Sequence, residues 1–111
     1  MLLFIITIRM SSLNDIVVIT TDLIKEASSC DDINSIKILK FNNISQKIRK
    51  IDSLSSLRSL TKLDISYHTI SIIEGLESLS ALVSLNLSEN SIRKIENISS
   101  LKRLETLNLA G

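Results

Sequence analysis

Apolar residues recur on a long beat along the C-terminal half of the chain. Leu57, Leu79 and Leu101 lie 22 residues apart, and so do Leu60, Leu82 and Leu104, then Leu63, Leu85 and Leu107, then Ile65, Leu87 and Leu109. Ile70 with Ile92, Ile73 with Ile95, and Leu76 with Ile98 continue the same register. Within each unit the spacing changes. The steps Leu63-Asp64-Ile65 and Leu85-Asn86-Leu87 have a period of two, which puts both apolar side chains on one face of a short strand. The three-residue steps on either side fit tight turns or short helical segments that carry the chain back. One such unit cannot bury its own apolar face, so the pattern predicts stacked units. The expected fold is an α/β solenoid with a short parallel sheet on one side and short helices or 3-10 turns on the other.

The polar positions of the unit are as specific as the apolar ones. Asn90 falls where the chain must leave the strand and turn, a place where backbone groups of neighbouring units would otherwise be buried without partners. An unsatisfied buried group costs about 1–3 kcal/mol, and an amide can both donate and accept. In the preceding copy this position is His68, the only histidine of the chain. Its ring also donates and accepts, so His68 is expected to replace the asparagine in this structural role and not to act as a catalyst or metal ligand.

Upstream of residue 57 the beat decays. Counting back 22 finds Ile38, Phe41, Ile48, Ile51 and Leu54, but sets Asn43 at a core position and Gln46 at the Asn position. A two-residue insertion between Phe41 and Ile48 repairs this, because Leu39 and Phe41 then take the inward strand positions. Residues 36–111 therefore read as an irregular first copy, two regular copies and a truncated last one. Residues 20–35 read as a capping helix and turn, with Thr21 as N-cap of Asp22-Leu23-Ile24-Lys25-Glu26-Ala27. Residues 1–19 form an apolar segment read as a β-prone strand or a loose end. Its run Leu2–Ile8 is far shorter than the roughly 20 residues a spanning helix needs, and it lacks the flanks of a secretory signal. At the other end the sequence stops inside the strand of another copy, so the chain is expected to be a fragment, an incomplete gene product or a segment completed by a partner.

Composition narrows the chemistry. Leu and Ile fill one third of the 111 residues, Pro is absent and Gly occurs twice, which removes glycine-rich phosphate loops and nucleophile elbows. One cysteine, Cys30, one histidine and three aromatic residues leave little material for a disulfide, a zinc site or base stacking. A cytoplasmic location is expected, with the nucleus as the other compartment that fits reduced cysteine usage. No cofactor, no metal and no nucleic-acid partner are expected. The net charge of +1 hides an uneven distribution: residues 37–62 hold seven cations against Asp52, a local +6. Lys47, Arg49, Lys50 and Arg58 within that band form a candidate patch for an acidic partner, with solvated side chains covering the unit as the plainer reading. Three Asn-x-Ser matches follow from Asn- and Ser-rich repeat positions and carry weight only in a secreted chain.

The unit Leu-x-x-Leu-x-x-Leu-x-Ile/Leu-x-x-(His/Asn)-x-Ile-x-x-Ile-Glu, seen as LRSLTKLDISYHTISIIE and LSALVSLNLSENSIRKIE, resembles the leucine-rich repeats. It is similar to the 22-residue intracellular subclass typified by a nuclear regulatory subunit of protein phosphatase 1 and common in ciliary and centrosomal proteins. That resemblance is strong over 57–111 and weak over 36–56. It implies a non-catalytic protein-interaction scaffold or adaptor working through a concave sheet, at the cytoskeleton, cilium or centrosome. A phosphatase regulatory subunit and the recognition region of a longer enzyme or signalling protein are the alternatives. On this reading the side chains on the concave face are Lys62, Asp64, Ser66 and Tyr67, then Ser84, Asn86, Ser88 and Glu89, then Thr106 and Asn108. Tyr67, the one aromatic among them, is the expected anchor beside Glu89, unless it packs over the exit turn of its strand.

Overall fold

In the computed structural model, residues 3–5, 17–19, 24, 32–41 and 47–111 are described. Seven short strands follow one another: β1 (Leu3–Ile5), β2 (Val17–Val18), β3 (Ile38–Lys40), β4 (Ile48–Lys50), β5 (Lys62–Asp64), β6 (Ser84–Asn86) and β7 (Thr106–Asn108). Five of them form one parallel sheet in the order β1-β3-β5-β6-β7, and β2 pairs with β4 in a second, parallel pair. Leu63 aligns with Leu85 and Leu85 with Leu107, so the 22-residue spacing of the sequence is the register of the sheet.

Each return leg is built from turns that match the three-residue apolar steps. Leu57 N–H donates to Leu54 C=O at 3.0 Å and Leu60 N–H to Leu57 C=O at 3.1 Å; the same bonds recur at Leu79, Leu82, Leu101 and Leu104. A turn closed every three residues returns each leucine to the same side, which is why the spacing of three turns them all toward the core. The legs remain isolated turns and do not lengthen into helices. At the corner into each strand one carbonyl accepts two successive N–H groups: Lys37 from Thr61 and Lys62, Thr61 from Val83 and Ser84, Val83 from Glu105 and Thr106.

The core is a set of columns running across the strands. Leu39, Phe41, Ile48, Leu57, Leu60, Ile65, Ile70, Ile73, Leu79, Leu82 and Leu85 are fully buried. Burial falls at β7, where Leu104, Leu107 and Leu109 are partly covered. The first copy is offset from the second by 24 residues at Ile38↔Lys62. Beyond the corner the offset is 22, since Thr69 N–H donates to Ile48 C=O as Ser91 N–H does to Ile70 C=O. Two extra residues therefore lie between Phe41 and Ile48, and Leu39 and Phe41 occupy the inward strand positions.

The N-terminal segment takes part in the same layout. Leu3 aligns with Ile38, and Val17 with Ile48, so residues 3–5 supply the outermost strand of the sheet and residues 17–18 a partner for β4. Most of the expected capping helix over 20–35 lies outside the described residues, as do Cys30 and Asp31. Within that interval Ile24 is helical and buried in the core, and Ile33–Ser35 forms a 3-10 turn closed by Ser35 N–H to Asp32 C=O at 3.1 Å. Among the described residues the architecture is thus a parallel sheet with almost no helix.

Candidate interaction face

With Leu39, Leu63, Leu85 and Leu107 directed to the core, the residues on either side of them lie on the opposite face of the sheet. The register sets Ile38, Lys62, Ser84 and Thr106 in one row and Lys40, Asp64, Asn86 and Asn108 in the next. Lys62, Thr106 and Asn108 are exposed; Lys40, Asp64, Ser84 and Asn86 are half-buried. A shallow notch opens where Ile38, Lys40, Lys62, Asp64, Ser84 and Asn86 meet. Lys40 also belongs to this surface, and Ile38, buried at 6% exposure, lines the notch beside it. The alternation in Lys37-Ile38-Leu39-Lys40-Phe41 is the signal that places them there.

Ser66 and Ser88 do not. They were expected on the open face, yet both are buried, at 5% and 9% exposure. Strand geometry ends after three residues because the side chain in the second row caps its own backbone. Asp64 Oδ1 accepts from Ser66 N–H at 2.9 Å and from Ser66 Oγ at 2.6 Å; Asn86 Oδ1 accepts from Ser88 N–H at 3.0 Å; Asn108 Oδ1 accepts from Ala110 N–H at 3.0 Å. At Asp64 and Asn86 the Asx turn folds the chain inward two residues on, and the serine follows it. Asp64 and Asn86 are accordingly held in place by local bonds as well as displayed.

One residue further along, Tyr67 and Glu89 occupy equivalent rim positions. Both have left-handed backbones, with φ of 62° and 56°, and Gly111 repeats the conformation at 93°. A second left-handed column runs through Ser53, Gly75 and Asn97. Tyr67 is 64% exposed, so it stands clear of its exit turn. Tyr67 N–H pairs with Ser88 C=O at 3.0 Å and its own carbonyl accepts Lys47 Nζ at 2.8 Å.

That bond ties one member of the expected basic patch to the rim. Lys47, Arg49, Lys50 and Arg58 are all exposed, but they sit on different stretches of the unit: Lys47 before β4, Arg49 and Lys50 within it, Arg58 on the return leg. The patch wraps around the unit, while Lys40 and Lys62 of the same basic band sit on the sheet face.

His68 is buried at 6% exposure and fully engaged. Ile48 N–H donates to its Nδ1 at 3.0 Å, which requires that nitrogen to be unprotonated; Nε2 therefore carries the proton and donates to Phe41 C=O at 2.5 Å. Burial pushes its pKa below the ordinary 6.5. The Phe41 carbonyl opposes the shift, Lys47 adds to it and Asp64 works against it. Among the described residues no group of three His, Cys, Asp or Glu side chains is placed to hold a metal ion, and no helix is long and apolar enough to cross a membrane. No family model matches the chain, and no curated protein matches it.

Proposed function

We propose that this chain is a leucine-rich repeat solenoid acting as a non-catalytic protein-interaction module, with the face formed by β3, β5, β6 and β7 as its recognition surface. The observation that carries this reading is the coincidence of sequence beat and sheet register: Leu63, Leu85 and Leu107 are neighbours across parallel strands. Stacking of that kind commits the inward residues to stability and leaves one broad face of short polar side chains facing outward. Ser84, Thr106, Asn86 and Asn108 are small and cost little entropy when covered, while Tyr67 adds a large exposed ring at the rim.

Affinity capture from cell extract with quantitative mass spectrometry tests the reading. Ser84→Glu with Thr106→Glu should lose the proteins that the unaltered chain retains. Lys102→Ala with Arg103→Ala, on the return leg, should retain them. If both variants hold the same set as the unaltered chain, the sheet face is not the recognition surface.

A further inference from the structure

The notch between β3, β5 and β6 carries more hydrogen-bond donors than acceptors. Neither Lys40 nor Lys62 is in an ion pair; among the described residues the one ion pair is Lys94 with Glu96 at 3.8 Å. Among the described residues Asp64 is the only acid lining the notch. Its Oδ1 is occupied by Ser66 N–H and Oγ, and its Oδ2 meets only Asn86 Nδ2, at 3.5 Å. Because Asn86 Oδ1 is held by Ser88 N–H at 3.0 Å, the orientation of the amide is set and Nδ2 keeps most of its donor capacity. Ser84 Oγ makes no hydrogen bond with the described residues and adds a fourth donor. Four donors, two of them full charges, surround a half-buried depression.

We infer that this notch binds an extended acidic peptide, with carboxylates two residues apart held by Lys40 and Lys62 and one of them bonded by Asn86. The inference rests on the interaction reading above and specifies its partner. Spacing supports it. Lys40 aligns with Asp64, two residues beyond Lys62, so the two lysines are diagonal neighbours, about 8 Å apart at their Cα atoms given strand spacing and rise. In an extended peptide, side chains on one face recur about every 6.6–6.8 Å, a difference the flexible lysine stems absorb. Two separated point charges suit two separate carboxylates better than one compact group, since a lysine binds as a point charge and not as a fork. The surrounding band of seven cations against one acid over residues 37–62 draws such a chain in and makes the association salt-sensitive.

The test is fluorescence anisotropy with a labelled Gly/Ser peptide containing two glutamates separated by one serine, compared with its double-glutamine version. The glutamate peptide should bind the full chain at low salt, and the glutamine peptide should bind at least about tenfold more weakly. Lys40→Glu with Lys62→Glu should weaken binding by at least about tenfold, whereas Lys50→Glu with Arg58→Glu, the same change in net charge, should weaken it less than about threefold. Circular dichroism of both variants shows that the fold is kept. Equal losses in the two variants would mean attraction by bulk charge and overturn the inference. So would tighter binding of a peptide carrying one phosphoserine and no glutamate. Absence of binding by the glutamate peptide also overturns it, while leaving the broader reading to be judged by the Ser84→Glu/Thr106→Glu capture.

Discussion

His68 and Asn90 perform one task in successive repeats. Each accepts a hydrogen bond from the backbone N–H twenty residues before it, Ile48 to Nδ1 at 3.0 Å and Ile70 to Oδ1 at 2.9 Å. Each also donates to a carbonyl just beyond the neighbouring strand of the preceding unit, Phe41 after β3 for His68 and Ile65 after β5 for Asn90. Asn90 makes further bonds to Leu87 and Ser88 carbonyls within its own turn at 3.0 and 3.2 Å. An imidazole in its neutral Nε2–H form and a carboxamide present the same acceptor and donor to the stack.

Asn90→Ala should therefore destabilise the protein by about 2 kcal/mol, because it leaves Ile70 N–H and Ile65 C=O without partners. Asn90→His should recover most of that loss. Urea titration followed by far-UV circular dichroism measures both. A destabilisation below about 0.5 kcal/mol in the alanine variant would remove the amide from its structural role.

Only one of the two groups titrates. The folded-state pKa of His68 is lowered from 6.5, with burial as the main cause. The unfolded chain thus takes up a proton first as pH falls, so the contribution of His68 is fully present above pH 6.5 and declines below it, until the folded-state pKa is passed. His68→Asn should fold at pH 7.5 with stability within about 1 kcal/mol of the original. Its stability should also change less between pH 7.5 and 5.5. Equal slopes for the two proteins over that interval would exclude the histidine as their source.

Leu85 is fully buried between strands whose leucines align with it on both sides. Leu85→Ala should cost about 2–5 kcal/mol. Leu85→Asp should unfold the region, since a charge there has no partner. An unchanged melting curve for the aspartate variant would contradict the register.

The two left-handed columns respond in opposite ways to substitution. Gly75 has φ +74°, and a Cβ there would lie 3.0 Å from the Ile51 carbonyl oxygen, so Gly75→Ala should cost more than about 1 kcal/mol. Tyr67, at φ 62°, is a bulky residue in a conformation that favours glycine. Tyr67→Gly relieves that strain while freeing the unfolded chain, and the two effects should leave stability within about 1 kcal/mol. The same substitution, combined with Glu89→Ala, should weaken partner capture without loss of fold. Thermal melting and capture on the same samples separate the two readouts.

The leucine columns and the His68 and Asn90 positions were legible in the sequence because burial and hydrogen-bond satisfaction act on residue type directly. The two-residue insertion was legible for the same reason: only an offset of 24 before Phe41 and 22 from Ile48 keeps every core site apolar. Ser66 and Ser88 were misplaced because strand alternation was carried past Asp64 and Asn86, whose side chains end the strand by capping it. Gly75, Asn97 and Gly111 hint at the left-handed columns, but Ser53, Tyr67 and Glu89 occupy equivalent positions with residues that rarely adopt that conformation. Leu3–Ile5 pairs at an offset of 35 residues and Val17–Val18 at 31 and 32, which no 22-residue search detects.

The two surplus residues between Phe41 and Ile48 change the offset between units from 24 at β3 to 22 from Ile48 onward, while β3 keeps an unbroken pairing with β5. Lengthening a connection costs free energy only logarithmically, so this connection is a natural entry point for foreign sequence. A reporter peptide, an epitope or a recognition loop spliced there would ride on the stack without shifting any strand against its neighbour.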